Sequence, residues 1–226
     1  MVNRWPAEWE KHERTWMAWP TSGYSLGETD DEIAAARGAW SSVANAVVRH
    51  EPVTMVVAAG DVEVAREWLD DRVEIVVAPL DDAWMRDIGP TYVRSADGTL
   101  LGVDWVFNGW GAQEWASWEY DADIARVVLA QTDTPVVSTP MVNEGGGIHT
   151  NGDGIVLVTE TVQLDPGRNP GWTRDEVERE LFDTLGATRV VWMPRGLTRD
   201  YDEFGTRGHV DIVATFCNPT TVLYHD

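Results

Sequence analysis

Three short segments of the chain place a carboxylate in a setting rich in glycine or proline. In chain order they are WMRDIGP with Asp87, NEGGGIH with Glu144, and GHVD with His209 and Asp211. Glycine and proline allow tight turns and the close approach of other groups. Carboxylates gathered in one place repel each other unless a cation joins them, and a planar, permanently charged guanidinium with five donors suits that role. The pattern therefore indicates a site for a guanidinium ligand.

His209 and Asp211 are two residues apart, so on a strand their side chains face the same side. Histidine titrates near neutral pH and can transfer protons, while the carboxylate holds a cation. Taken singly, each residue also has a structural explanation. Asp87 could pair with Arg86 or cap a turn. Glu144 could accept backbone N–H groups from its glycine-rich loop, and His209 could be a satisfied core histidine. Their occurrence at the start of repeating units favours the functional interpretation.

Helix and strand signals alternate along the first part of the chain, which predicts an α/β fold. The predicted elements are a helix over Asp31–Arg49 capped by Thr29 or Asp30, a strand over Val53–Ala58, a helix over Val62–Leu69 and a strand over Val73–Val77. These elements would form the first of several modules, spanning residues 1–80.

From residue 80 onward a strand–strand–helix–strand unit of about 60 residues repeats, which is typical of a modular architecture. The first copy comprises strands Thr91–Arg94 and Leu101–Phe107, a helix from Asp121 to Gln131 and a strand Pro135–Ser138. The second comprises strands Gly147–Thr150 and Ile155–Thr159, a helix Arg174–Leu185 capped by Thr173 and a strand Arg189–Trp192. A third begins with strands His209–Cys217 and Val222–Tyr224.

The repeats predict one domain over residues 1–226, with modules at 1–80, 81–140 and 141–196 and a truncated one from 205. A strand pair without a covering helix leaves an edge exposed, so we expect further chain beyond it. The alternative is a natural end in a short terminal hairpin.

The net charge of −21 excludes a general nucleic-acid binder, which needs a basic face, but is compatible with a cationic ligand. No apolar run reaches the roughly 18 residues that span a bilayer, and the N-terminus lacks the apolar region of a secretory signal. We therefore expect a soluble, cytoplasmic protein without a membrane partner.

The chain has one cysteine and five histidines. A single cysteine allows neither an intrachain disulfide nor a cysteine-based metal cage, and the histidines form no HExxH pair. The sequence thus predicts no metal site.

Six segments together resemble the agmatine deiminase family. They are PAEWEKHERTWMAWP, DDAWMRDIGPTYV, VFNGWG, NEGGGIHTNGDG, the RNP at Arg168–Pro170 and DEFGTRGHVDIVATF. They follow the family's order from residue 5 to residue 217, which is far more specific than any single motif. The resemblance implies a pentein-like α/β-propeller of ββαβ modules, related to peptidylarginine and arginine deiminases and incomplete here at its C-terminus.

The resemblance also implies a role for each candidate residue. Asp87 and Asp211 would clamp the guanidinium and Glu144 would help to bind it. His209 would be the general acid and base, and Trp84 would line the pocket. The reaction would convert agmatine to N-carbamoylputrescine and ammonia, a step of putrescine (polyamine) biosynthesis, without a metal or organic cofactor. The expected partner is this small cationic guanidine, and a homo-oligomer is compatible with the sequence.

The family's nucleophilic cysteine lies in the last module, beyond residue 226. Cys217 is a poor substitute, because on a strand from His209 it would lie roughly 26 Å away. It also falls in an apolar run, where a buried thiol is inert. We therefore expect no turnover from these 226 residues alone. Two alternatives stay open: a deiminase acting on arginine or peptidyl-arginine, and a non-catalytic guanidine-binding or structural protein.

Overall fold

The computed structural model describes residues 3–225, which divide into two compact units. The larger unit comprises the described residues up to Glu10, Arg86–Trp115 and those from Ala125 onward. The smaller unit comprises Lys11–Met85 and Ala116–Ile124. None of the helices in the described range is long and apolar enough to cross a membrane.

A three-stranded parallel sheet forms the centre of the smaller unit. In sheet order its strands are β1 (Thr15–Ala18), β2 (Val53–Val57) and β3 (Glu74–Val77). The helices that accompany it are α1 (Gly23–Leu26), α2 (Asp30–Val47) and α3 (Val62–Trp68). All five residues of β2 are buried, as expected for the middle strand of a covered parallel sheet. The sequence predicted β2, β3, α2 and α3 to within two residues at each end, but missed β1 and α1.

The start of α2 is fixed by a capping box. The Thr29 side chain accepts from the backbone N–H of Glu32, and the Glu32 carboxylate accepts from the backbone N–H of Thr29. This pairing satisfies two of the N–H groups that every helix start leaves without a partner. It confirms the predicted helix and identifies Thr29 as its cap.

Three aspartates of the smaller unit form a reciprocal set of hydrogen bonds, called here the acidic cluster (Asp81, Asp82 and Asp121). Fully buried Asp121 accepts from the backbone N–H of Asp81 at 2.8 Å and of Asp82 at 3.0 Å. In return, Asp81 accepts from the backbone N–H of Tyr120 at 2.7 Å. The cluster ties two loops of this unit together through carboxylates and backbone amides.

The larger unit contains two copies of a ββαβ arrangement. In one, β4 (Thr91–Arg94) pairs antiparallel with β5 (Leu100–Val106), which pairs parallel with β6 (Val136–Val142) after α6 (Ile124–Gln131). In the other, β7 (Ile148–Thr150) pairs antiparallel with β8 (Ile155–Thr159), which pairs parallel with β9 (Arg189–Met193) after α7 (Glu160–Gln163) and α8 (Arg174–Leu185). The predicted strand–strand–helix–strand repeat is thereby confirmed.

The chain also forms two further short α-helices and a hairpin. They are α4 (Met85–Ile88), α5 (Gly109–Ala112), and the antiparallel pair β10 (Ala214–Asn218) and β11 (Thr221–Tyr224). One buried cluster joins the two ββαβ sheets to α8, with Val103, Met141, Val158 and Leu181 fully buried. The sheets that carry the candidate residues thus share one core.

One predicted strand is wrong in its extent. The sequence indicated a strand from His209, whereas β10 begins at Ala214 and residues 209–213 form a bend and a turn. The side chain of Asp200 accepts from the backbone N–H groups of Gly208 at 2.6 Å and His209 at 3.1 Å. Those N–H groups are therefore not available to a sheet, since a side chain that binds nearby backbone competes with secondary structure.

Candidate active site

Asp87 lies in the short helix α4 and is 8% exposed. Its Oδ2 accepts from Trp110 Nε1 at 2.9 Å, and its Oδ1 accepts from the backbone N–H of Gly146 at 2.9 Å. Both bonds orient the carboxylate toward the glycine-rich loop. A Cβ at position 146 would lie 2.4 Å from His209 Nδ1 and 2.9 Å from Asp87 Oδ1, so only glycine fits there without displacement.

Glu144 is fully buried and directly precedes a 3-10 turn formed by Gly145–Gly147. Arg168 Nε donates to both carboxylate oxygens, at 2.9 Å and 3.1 Å. His209 Nε2 lies 3.2 Å from Oε2 of the same carboxylate. The carboxylate is thus held by side chains, in contrast to the backbone bonds considered as an alternative from the sequence.

His209 is 3% exposed and faces two carboxylates, one with each ring nitrogen. Nε2 lies 3.2 Å from Glu144 Oε2 and Nδ1 lies 3.9 Å from Asp87 Oδ1. Its position comes from the Asp200-bound bend described above, since no strand carries it. The expectation that His209 and Asp211 lie on one face of a strand is wrong, because β10 begins only at Ala214. Even so, the fold brings His209 to Asp87 and Glu144.

Asp211 joins this group through its backbone and its charge. Its N–H donates to the carbonyl of Gly146 at 3.2 Å, and its Oδ2 lies 3.8 Å from Arg86 Nε. The side chain is 28% exposed, and the residue lines a cavity of about 250 Å³ together with the β10–β11 hairpin. Asp211 is therefore the most accessible carboxylate of the four candidate residues.

The protonation states of these groups follow from burial and from their neighbours. Burial opposes the charged imidazolium, but Asp87, Glu144 and Asp211 together outweigh it and raise the pKa of His209. Burial also opposes an ionised Glu144, yet the charges of Arg168 and His209 lower its pKa to about 2. Desolvation raises the pKa of Asp211 to about 6, against the attraction of His209 and with the repulsion of Asp87.

Trp84 lies in the smaller unit and is 38% exposed. Its indole meets that of Trp40 edge to face, with ring centroids 5.7 Å apart. Its predicted place in a substrate pocket stays a prediction, as do the roles assigned to Asp87, Glu144, His209 and Asp211.

Two residues that touch this group received no role from the sequence. Arg168 was noted only as part of an RNP motif, and Trp110 only as part of VFNGWG. Trp110 adopts a positive φ of 57° between glycines that also have positive φ, a backbone conformation unusual for a bulky residue. No signal in one sequence reveals that Trp110 reaches Asp87, or that Arg168 reaches Glu144, because each pair is far apart along the chain.

Cys217 differs from the prediction. The residue is exposed on β10, not buried in an apolar run, and its Sγ lies 3.6 Å from the carbonyl oxygen of Thr221 in the hairpin. Among residues 3–225, no group of three or more His, Cys, Asp or Glu is arranged to hold a metal ion.

A buried imidazole between two carboxyl groups can exchange protons, while acidic side chains around it attract a cation. Acidic side chains at hydrogen-bonding range also match a guanidinium, whose donors bind carboxylates in pairs. The arrangement therefore combines the two capacities that hydrolysis of a guanidinium group requires: acid–base chemistry and cation binding.

Comparison with known proteins identifies the family. Residues 4–226 match the family described as Porphyromonas-type peptidyl-arginine deiminase. The chain is 57% identical over 225 residues to a Streptomyces coelicolor protein named "Putative agmatine deiminase", covering 100% of this chain and 66% of that protein. It is 40% identical over 225 residues to the agmatine deiminase of Pseudomonas aeruginosa, covering 97% of this chain and 59% of that protein.

Comparison with solved structures also finds agmatine deiminases. The agmatine deiminase of Enterococcus faecalis superposes with a TM-score of 0.89 at 32% identity, covering 97% of this chain and 60% of that chain. The mixed α/β class is confirmed, and the propeller-like pseudo-symmetry is consistent with this structure. The chain thus spans about three fifths to two thirds of the length of these relatives. It belongs to the Porphyromonas-type peptidyl-arginine deiminase family and groups with the agmatine deiminases within it.

Proposed function

We propose that this chain supplies the guanidine-binding and acid–base part of an agmatine deiminase, which hydrolyses a guanidinium group to a ureido group and ammonia. The observation that supports this most directly is the position of His209. Its two ring nitrogens lie 3.2 Å from Glu144 and 3.9 Å from Asp87, inside a buried site. In the proposed enzyme Asp87 and Asp211 clamp the guanidinium, and Glu144 helps to bind it.

The reaction runs in two halves. A cysteine thiolate attacks the guanidinium carbon, and a proton from His209 goes to the nitrogen that leaves as ammonia, which yields a covalent amidino-thioether. A water then gives a proton to His209 and attacks the same carbon, and the thiolate leaves as the ureido product forms. The raised pKa of His209 favours the protonated form that the first half needs.

The proposed nucleophile is not Cys217, whose Sγ contacts the β10–β11 turn. Covalent catalysis requires the attacking atom and the proton donor within a few ångströms of the same carbon. We assign the nucleophile to the portion of the relatives' length that this chain does not cover. On that assignment, residues 1–226 alone bind substrate without turning it over.

Agmatine suits the charge of this site better than free arginine. Asp87, Glu144 and Asp211 create a negative field, reinforced by the net charge of −21. Agmatine carries only a second cation at its far end, whereas free arginine carries an ammonium together with a carboxylate that this field repels. Peptidyl-arginine lacks that carboxylate and is the second candidate, favoured by the family's description. A guanidine-binding protein without catalysis is the third.

Calorimetry on the 226-residue chain tests binding. We expect agmatine to bind the folded chain and Asp87→Asn to reduce the affinity by about tenfold or more, because one charge-assisted contact is lost. Asp97→Asn, in an exposed turn, is the matched control and should bind as the wild type does. Equal affinities of the Asp87 variant and the wild type would remove Asp87 from the site.

Turnover is tested by joining residues 1–226 to the remaining portion of the Streptomyces coelicolor relative. We expect ureido product and ammonia from agmatine, with kcat/KM higher than for arginine or a peptidyl-arginine substrate. His209→Asn should lower kcat by about 100-fold or more, since general acid–base catalysis contributes that much. The exposed His50→Asn is the control. A His209 variant as active as the control contradicts the proposed mechanism.

A further inference from the structure

We propose that Arg168 is a positioning residue of this site: it keeps the Glu144 carboxylate charged and fixes it against the loop that carries His209. The inference rests on the proposed function only for its catalytic meaning, since the contacts themselves involve this chain alone. The Arg168 side chain is completely buried. A buried arginine needs partners for each of its donors, so the identity of those partners indicates what it organises.

The guanidinium of Arg168 bonds to three separate segments of the larger unit. Nε donates to both oxygens of Glu144 at 2.9 Å and 3.1 Å. Nη1 donates to Asp165 Oδ2 at 2.8 Å, and Nη2 donates to the carbonyl of Thr206 at 2.8 Å. A planar fork with fixed donor directions can hold three acceptors in a set geometry, which a lysine ammonium cannot reproduce.

The contact with Thr206 connects Arg168 to the backbone of His209. Asp200 accepts from the backbone N–H of Thr206 at 2.8 Å and from that of His209 at 3.1 Å. Arg168 therefore bonds directly to Glu144. It also bonds to the carbonyl of Thr206, in the same loop whose backbone N–H groups Asp200 accepts from. Its bonds thus constrain both the Glu144 carboxylate and the His209 loop, whose closest contact is the 3.2 Å distance between His209 Nε2 and Glu144 Oε2.

The guanidinium of Arg168 also places a permanent positive charge beside Glu144. A fully buried carboxylate is protonated unless cations compensate the loss of water. The charged groups that face Glu144 are Arg168 and His209, and those that face Arg168 are Glu144 and Asp165. His209 in turn faces Asp87, Glu144 and Asp211. Arg168 is the partner whose charge does not change as His209 gives up and regains its proton.

A carboxyl titration followed by NMR tests the charge role. In folded Arg168→Gln we expect one glutamate carboxyl signal to titrate above about pH 5, in addition to the raised aspartates Asp121 and Asp211 of the wild type, because burial of Glu144 is no longer opposed by a permanent cation. Adding Glu144→Gln should remove that signal and so assign it. Arg168→Lys retains the charge and should show no such signal. A folded Arg168→Gln in which no glutamate carboxyl titrates above the range of ordinary glutamates would overturn the proposal.

Arg126→Gln is the matched control. Arg126 Nε lies 2.8 Å from Asp104, a carboxylate that is 7% exposed in the same unit. This substitution removes an arginine that pairs with a different buried carboxylate. The Glu144 signal should therefore stay as in the wild type. A Glu144 shift of equal size in this variant would show a general loss of packing and would overturn the specific role of Arg168.

A second measurement needs no variant, in case Arg168→Gln does not fold. The Nε–H proton of Arg168 bonds to the carboxylate that His209 also contacts, so its resonance should shift with pH at the midpoint of the His209 ring signals. A resonance that stays constant through the His209 titration would overturn the coupling. Neither readout involves turnover, so a failure of the proposed deiminase activity leaves both results interpretable.

Discussion

Buried carboxylates occur in both units of the chain, and their surroundings differ. Glu144 in the larger unit is compensated by Arg168 and His209, which lower its pKa to about 2. Asp121 in the acidic cluster of the smaller unit accepts two backbone N–H groups beside Asp81 and Asp82, and burial raises its pKa to about 7. Compensation by full charges keeps a buried carboxylate ionised, whereas backbone dipoles beside other acids do not.

Glu144 therefore stays charged at neutral pH, whereas Asp121 takes up a proton near pH 7. An ionised, fully buried carboxylate can stabilise an imidazolium and attract a cationic ligand. A protonated one serves mainly as a hydrogen-bonding link between loops. The acidic cluster therefore has a structural explanation, although its composition alone would suggest a ligand site.

The largest effect is expected from a substitution that disturbs the site in the larger unit and leaves the acidic cluster unchanged. Gly146→Ala places a methyl group 2.4 Å from His209 Nδ1, so the ring and Asp87 must move. We expect a loss of about 3 kcal/mol in the free energy of unfolding, with a lower pKa of His209 by NMR. The control is Gly60→Ala, where an added Cβ meets nothing within 4 Å. Equal stability of the two variants would contradict the geometry of the site.

The free energy of unfolding, measured over a range of pH, tests the comparison at Asp121 in the smaller unit. The folded-state pKa of Asp121 is raised, so its contribution to stability is full below about pH 4 and is lost as pH rises through about 7. Asp121→Asn does not titrate. Relative to the wild type, its free energy of unfolding should therefore improve by about 2 kcal/mol between pH 5 and pH 8.

The control for that series is Asp97→Asn, whose parent carboxyl has a pKa lowered to about 2 and is ionised throughout this window. Its difference from the wild type should stay flat in urea denaturation from pH 5 to pH 8. A flat difference for Asp121→Asn as well would show that this carboxyl is ionised when folded, and the contrast with Glu144 would fail.

The smallest expected effect concerns a feature that the two units share. Thr29 begins α2 in the smaller unit and Thr173 begins α8 in the larger one, each with a complete capping box. Thr29→Ala and Thr173→Ala should each cost about 1 kcal/mol in denaturant unfolding. Serine at either position should restore most of it. Clearly unequal costs would mean that one cap is coupled to the packing of its unit.

The capping boxes also mark what the sequence could predict. Both helices were found because their signals are local: a threonine suited to an N-cap, followed by apolar residues at helical spacing. The ββαβ repeats were found for the same reason, from strand runs and tight turns. β1 was missed because a four-residue strand owes its place to its pairing with β2, which is not a local property.

The sequence predicted which residues would lie close together, but not the contacts that hold them there, and their roles stay predictions. Asp87, Glu144 and His209 come together as the resemblance implied. The strand expected under His209 is absent because Asp200 captures the backbone there, a choice that depends on where one side chain points. Arg168 shows the limit most clearly, because an arginine reads as a surface residue unless its buried partners are known.

The bond between His209 and Glu144 joins residues 65 positions apart, and that from Gly146 to Asp87 joins residues 59 apart. Closing such loops costs chain entropy before any contact rewards it, so these bonds should form late as the polypeptide folds. In kinetic terms, the local contacts of helices α2 and α8 should form before the long-range contacts of the site. The time at which the site becomes competent to bind would then report on the final step of folding.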